Sequence, residues 1–178
     1  FNQMAGVSMS VFAPELGIDF QGAVGFDSKL KDHELSYDQP FRIASITKSF
    51  VATAILRLHE MNALDIAHSI KSYIAPEHIE LLEKSGYKVE KITLKHCLQH
   101  TSGLYDYAVG NDTYTAMVIN SPKRKWSRTE QIKLAMDIGQ PYGEPGELYH
   151  YSDTGYILLG EAIERVTNQN LGKALRDL

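Results

Sequence analysis

Cysteine is nearly absent. Cys97 is the only one in 178 residues, so an internal disulfide is excluded, and with it a disulfide-stapled scaffold. Cys97 lies in an apolar-periodic segment and reads as a buried, inert thiol. Long apolar runs are also missing: none approaches the roughly 20 residues that a membrane-spanning helix needs, and no signal-peptide pattern opens the chain. There is no excess of positive charge. Eighteen Lys and Arg stand against 22 Asp and Glu, for a net charge of −4. The one basic cluster, Lys123, Arg124, Lys125 and Arg128, follows a proline and reads as a solvated loop, so no nucleic-acid partner is expected. The chain lacks a glycine-rich phosphate loop and a Gly-x-Ser-x-Gly nucleophile elbow. Its histidines lack metal-ligand spacing. His96 and His100 are four apart, but no glutamate follows His96 in the zinc-protease position. Neither a metal nor a cofactor is expected. No internal repeat and no low-complexity tract are found.

What is present is an ordinary globular composition, 43% hydrophobic and 22% charged, with enough length for a real core. Residues 41–60 organise it. Ile46, Phe50, Val51, Ala54, Ile55, Leu58 and Met61 recur at helical spacing, and Ala52 and Leu56 widen the apolar surface. A helix apolar on most sides is expected to be central. Ser45 and Lys48 sit at its start, three apart, which sets their side chains about one turn apart and side by side. A lysine among apolar groups loses solvation and its pKa falls, so Lys48 is expected to be able to take a proton from a neighbouring hydroxyl. Backbone N–H groups at the helix start favour negative charge developing on the serine oxygen. This is the pattern of an activated nucleophile. Serine is also a common N-cap and lysine is free to snorkel, so these four residues alone decide nothing.

The rest of the chain reads as a strand pair followed by helices. Residues 6–12 alternate and predict a strand. Residues 14–17 (PELG) predict a turn, and residues 18–26 a second strand. Residues 27–39 read as a polar loop. Helical pieces are expected over 76–82, 94–100 (with Thr93 as N-cap), 114–118, 129–136, 155–166 and from 170 on. Residues 140–147, with Pro141, Gly143, Pro145 and Gly146, predict an irregular loop. Tyr151, Ser152 and Asp153 follow it, between that loop and an apolar helix, where side chains can be held at a cleft wall. A tyrosine beside a lysine ammonium can act as a base or relay, and Asp153 can fix Lys48. The local alternative is Asp153 as an N-cap and Tyr151 as a packing residue. His100 is either a base for Ser45 or, the favoured reading, a residue that satisfies backbone groups.

These blocks carry a resemblance. Residues 41–48 (FRIASITK), residues 93–104 (TLKHCLQHTSGL), Tyr151-Ser152-Asp153 and the run from Pro145 to Val166 together resemble the serine β-lactamase-like family. That is the group of class C β-lactamases, D-alanyl-D-alanine carboxypeptidases and related esterases, whose nucleophile motif is Ser-x-x-Lys. The resemblance implies an α+β fold, an antiparallel sheet flanked by a helical region. It implies an acyl-enzyme on Ser45, with Lys48 and Tyr151 as catalytic partners and Asp153 in the substrate-binding or proton network, where the family usually carries asparagine. The implied activity is that of a D-alanyl-D-alanine carboxypeptidase-like peptidase acting on small-molecule or peptide amides. The alternatives are a class C-like β-lactamase, a small-ester esterase, or a non-catalytic penicillin-binding-like protein. A periplasmic or secreted location follows from the family. The family's third motif, Lys/His-Thr/Ser-Gly on a later strand, is not found. The resemblance is therefore expected to cover the family's N-terminal half only. Residues 1–178 would form one incomplete domain, with 1–44 a sheet edge leading to the nucleophile and 45–178 mostly helical. Only the first strands and most of the helical region would be present. The isolated chain would be inactive until a missing C-terminal part of the same protein completed it.

Overall fold

The computed structural model describes residues 4–28, 30 and 32–178. Residues 29 and 31, within the expected 27–39 loop, lie outside the described residues. The chain divides into two compact units, Phe1–Ala44 and Ser45–Leu178.

The first unit is a β-hairpin. Strands β1 (Gly6–Ala13) and β2 (Ile18–Gly25) pair antiparallel, with Gly6 opposite Gly25 and Ala13 opposite Ile18. A single 3-10 turn, Pro14–Leu16, joins them. It closes where Gly17, at φ 66°, donates its N–H to the Pro14 carbonyl at 3.0 Å. Proline pre-sets the first turn residue and glycine takes the left-handed one, which is why this short sequence reverses the chain. Val7, Met9 and Val11 on β1 and Phe20 and Val24 on β2 are exposed.

The second unit is helical. Helix α1 spans Thr47–Glu60, α2 Pro76–Lys84, α3 Leu94–Leu98, α4 Asp112–Asn120, α5 Arg128–Ile138, α6 Asp153–Thr167 and α7 Leu171–Asp177. The starts are set by side-chain caps. Thr93 and Ser127 each form a reciprocal capping box, with His96 and Glu130 respectively. Asn111, Ser152 and Asn170 accept single N–H bonds. Each cap satisfies N–H groups that the first helical turn leaves without a partner. Helix α6 is the hub: α1, α3, α5 and α7 all pack on it. Its small positions Gly155, Gly160 and Ala162 are buried beside Leu158, Leu159 and Ile163, so neighbouring helices approach closely.

The expectation of an incomplete fold, carrying only the first strands and most of a helical region, is corrected here. Helices α1–α7 close over one continuous core in which Ile55, Ile70, Leu82, Ile92, Leu104, Ile132 and Leu158 have no exposed surface. The α+β class stands: among the described residues there are a two-stranded antiparallel sheet and seven α-helices. The central place expected for the 46–61 helix belongs to one face. Val51, Ala54, Ile55 and Leu58 are buried, while Ile46, Phe50, Leu56 and Met61 are exposed. The helix also starts one residue later than its hydrophobic spacing suggested, because residues 44–46 form a 3-10 turn. No helix among the described residues is long and apolar enough to cross a membrane.

Candidate active site

Ser45 stands in the 3-10 turn that feeds α1, and Lys48 lies in the first turn of that helix. Ala44, just before the serine, holds a left-handed φ of 46°. A residue with a Cβ pays a steric penalty there, and such strain concentrates at functional turns. Tyr151 and Asp153 arrive from 106 and 105 residues further along the chain. Tyr151 precedes the α6 cap, and Asp153 is the first residue of α6. The N-cap is Ser152, whose hydroxyl accepts the Gly155 N–H, so Asp153 is released from the capping role that was the alternative for it.

The structure brings all four residues together. The Tyr151 hydroxyl donates to Ser45 Oγ at 2.9 Å, and Lys48 Nζ donates to the same oxygen at 3.2 Å. Lys48 Nζ is also ion-paired and hydrogen-bonded to Asp153 Oδ1. The Lys48 and Asp153 side chains keep 17% and 19% of their surface exposed, so the pair is sheltered but reachable. The ammonium lies 5.0 Å from the Tyr151 ring centroid and 5.6 Å from that of Tyr156, between two aromatic faces that attract a cation.

This overturns one expectation. Burial alone would lower the Lys48 pKa, but the hydrogen bond and charge of Asp153, with Tyr151 adding to them, outweigh it and hold the ammonium above the ordinary lysine value. Lys48 is therefore held toward its charged form, the opposite direction from the one its apolar neighbours suggested. The spacing Ser45-x-x-Lys48 located the lysine correctly, but its partner 105 residues away sets its protonation.

Residues behind the site fix its geometry. Asp106 is 5% exposed. One of its carboxylate oxygens accepts the N–H groups of Ala108 and Asp153, at 3.1 and 3.2 Å, and the other accepts that of Val109 at 3.1 Å. Its charge is thus met by backbone donors, and it pins the backbone that presents Asp153. Tyr156, one turn beyond Asp153, donates its hydroxyl to the Leu98 carbonyl at 3.1 Å and turns its ring toward Lys48. Sequence reasoning passed over both. Tyr156 reads as one more position of an amphipathic helix. Asp106 lies in an aperiodic stretch, where the available signal was its turn chemistry, an aspartate able to accept the N–H two residues on. His100, at φ 56°, stacks on Tyr151 with centroids 4.3 Å apart and accepts the Ser152 N–H on Nδ1 at 3.1 Å. It serves the backbone, as its favoured reading held, and makes no bond to Ser45. His96 is bound up in the α3 capping box.

A lysine ammonium and a phenol thus converge on one serine hydroxyl at the start of a helix, and comparison with known proteins gives the chain its family. The Beta-lactamase family model matches residues 5–178, and the chain belongs to that family. Penicillin-binding protein 4* of Bacillus subtilis (strain 168) is 27% identical over 166 residues, 90% of this chain and 33% of that protein. Among solved structures, the D-stereospecific amidohydrolase from Streptomyces sp. superposes with a TM-score of 0.72 at 28% identity, over 89% of this chain and 44% of that one. The D-amino acid amidase from Ochrobactrum anthropi SV3 gives 0.76 at 26% identity, over 98% and 44%.

The family model also corrects the reading of the match as one confined to the family's N-terminal half, with a missing C-terminal part required as a partner. The match runs through essentially every residue of the chain, from 5 to 178. The chain spans about a third of the curated relative's length and 44% of each solved chain. Those shares describe the relatives' lengths.

Proposed function

We propose that Ser45 is the nucleophile of a serine hydrolase that cleaves amide bonds through an acyl-enzyme, with D-amino-acid amides and D-alanyl-D-alanine-type peptides as its substrate class. The observation that carries this reading is the double hydrogen bond on Ser45 Oγ, from Tyr151 at 2.9 Å and from Lys48 at 3.2 Å. The substrate class draws support from the names of the two solved neighbours, a D-stereospecific amidohydrolase and a D-amino acid amidase.

In the proposed mechanism Ser45 Oγ attacks the substrate carbonyl carbon. Tyr151, a phenolate once it has given its phenol proton to solvent, takes the serine proton along the same 2.9 Å line. The charged Lys48 faces that phenolate, and Asp153 keeps the lysine charged. The carbonyl oxygen becomes an oxyanion, for which the Ser45 backbone N–H is one donor. Collapse breaks the C–N bond, and Tyr151 returns the proton to the leaving amine. Water then adds to the ester carbonyl and gives its proton to Tyr151; collapse breaks the C–Oγ bond, Tyr151 returns that proton to Ser45 Oγ, and the acid and free Ser45 are released. Short esters are the second reading. Asp153 favours it, because an ionised carboxylate accepts but does not donate and so cannot hold a substrate amide carbonyl as asparagine would.

Labelling with a fluorophosphonate or a penicillin tests the proposal. The protein is expected to gain one covalent adduct on Ser45, and Ser45→Ala none. Equal labelling of the variant overturns Ser45 as nucleophile. Initial rates on D-phenylalanine amide, a D-Ala-D-Ala peptide, nitrocefin and a short ester then rank the substrate classes.

A further inference from the structure

His100 has an unusual position for a residue that bonds to neither Ser45 nor Lys48. Its backbone is left-handed, a cost that few residues with a Cβ bear without cause. Its own backbone and that of the next residue are clamped to the 142–150 segment: the His100 carbonyl accepts the His150 N–H at 2.7 Å, and the Thr101 carbonyl accepts the Gly146 N–H at 2.7 Å. The ring so placed lies flat against Tyr151, with centroids 4.3 Å apart and planes 23° apart. Tyr156 covers it at 5.0 Å and Tyr149 meets it edge-on at 6.0 Å. Because Nδ1 accepts the Ser152 N–H, a neutral ring must carry its proton on Nε2.

We infer that neutral His100 is the positioning residue for Tyr151, and that protonating it releases Tyr151 from Ser45. This deepens the proposed function and rests on it. A proton on Nδ1 removes the lone pair that the Ser152 N–H uses, leaving two donors face to face at 3.1 Å. The bond that fixes the residue after Tyr151 is then lost. The new positive charge also arises in a crowded electrostatic setting. Lys48 on α1 opposes it, while Asp153 on α6 and Asp106 beside the 104–108 turn favour it. Tyr149, Tyr151 and Tyr156 are the remaining titratable neighbours. Burial first, and then the Lys48 charge, hold the imidazole below the ordinary histidine value, so the ring stays neutral at neutral pH. The site is thus ready at neutral pH and is disassembled by acid through His100, with Ser45 and Lys48 unchanged.

The test compares the protein with His100→Asn, since asparagine tolerates the left-handed backbone and its Oδ1 can still accept the Ser152 N–H. Two readouts are followed from pH 4.5 to 8.5: the second-order rate of Ser45 labelling by a fluorophosphonate, and the Cζ chemical shift of Tyr151 in protein with 13C-labelled tyrosine. In the parent protein both should move together with one midpoint below about 6.5, the labelling rate falling tenfold per pH unit beneath it. In His100→Asn the labelling at pH 8 should be slower by up to about tenfold, the scale of one lost aromatic pair, and the acid midpoint should vanish from both readouts. An acid midpoint that persists in His100→Asn overturns the inference, as does a Tyr151 signal that is flat across that range in the parent. Absence of labelling at every pH strikes the proposed function instead, and the Tyr151 signal still decides the role of His100.

Discussion

Of the acid–base contacts that join distant parts of the helical unit, two are built to opposite ends. At the α2–α6 contact His78 and Glu161 are each only 5% exposed as side chains. Glu161 spends one oxygen on the Ala75 N–H and the other on His78 Nδ1, both at 2.7 Å, while His78 Nε2 meets the Thr129 hydroxyl at 2.9 Å. Every polar atom there has a protein partner, and the network ties α2, α5 and α6 together. The Lys48–Asp153 pair is less buried, and its lysine extends a further bond to a serine that stands exposed. A saturated pair can only hold helices in place. A pair with an open neighbour can hold charge next to a reacting atom. The difference lies in the surroundings, since both pairs join a basic group to a carboxylate.

The sharpest way to test that contrast is to remove the phenol. Tyr151→Phe keeps the ring and its stacking but loses the hydroxyl at 2.9 Å from Ser45. Labelling of Ser45 should fall by about 10²–10⁴, the usual worth of a positioned acid–base group, with unchanged thermal unfolding. At the other pair, Glu161→Ala strands a buried histidine and the Ala75 N–H. Urea unfolding should show a loss of about 3–5 kcal/mol, while labelling per folded molecule stays near the parent's. A large labelling defect at matched folded fraction would erase the distinction between the two regions. The smallest expected effect is that of Asp153→Asn, which removes the main influence raising the Lys48 pKa. With a raised folded pKa, the pair's stabilisation is complete below the ordinary lysine value of 10.5 and is lost as pH rises through the higher folded value. The variant should therefore lose labelling at a lower alkaline pH than the parent. An unmoved alkaline limb would show that Asp153 does not govern Lys48.

Local chemistry was the legible part of the fold. Thr93 was readable as a cap because its hydroxyl acts within one turn, and the PELG reversal because proline and glycine dictate their own dihedrals. Helix starts drifted by two residues where the deciding cap was not singled out, as with Ser152 on α6 and Asn111 on α4. Ser45, Lys48, Tyr151 and Asp153 were all named from sequence, but through the family resemblance as much as through spacing. The direction in which the Lys48 pKa moves was not legible because it depends on Asp153, 105 residues away, and only the local part of Asp106 was legible, since one of its three backbone N–H partners lies 47 residues away. Long-range partners of this kind leave no periodic trace.

The 106-residue separation of Ser45 from Tyr151 has a kinetic side. Bringing those two hydroxyls together means closing a very long loop, and the entropy of that closure is recovered only once the helices between them have docked on α6. No partly folded species with either the first turn of α1 or the 142–153 segment loose can contain the triad. The Ser45–Tyr151 contact is consequently a property of the whole helical unit, and if Ser45 reacts as proposed, a chemical label there would time the last stage of its assembly.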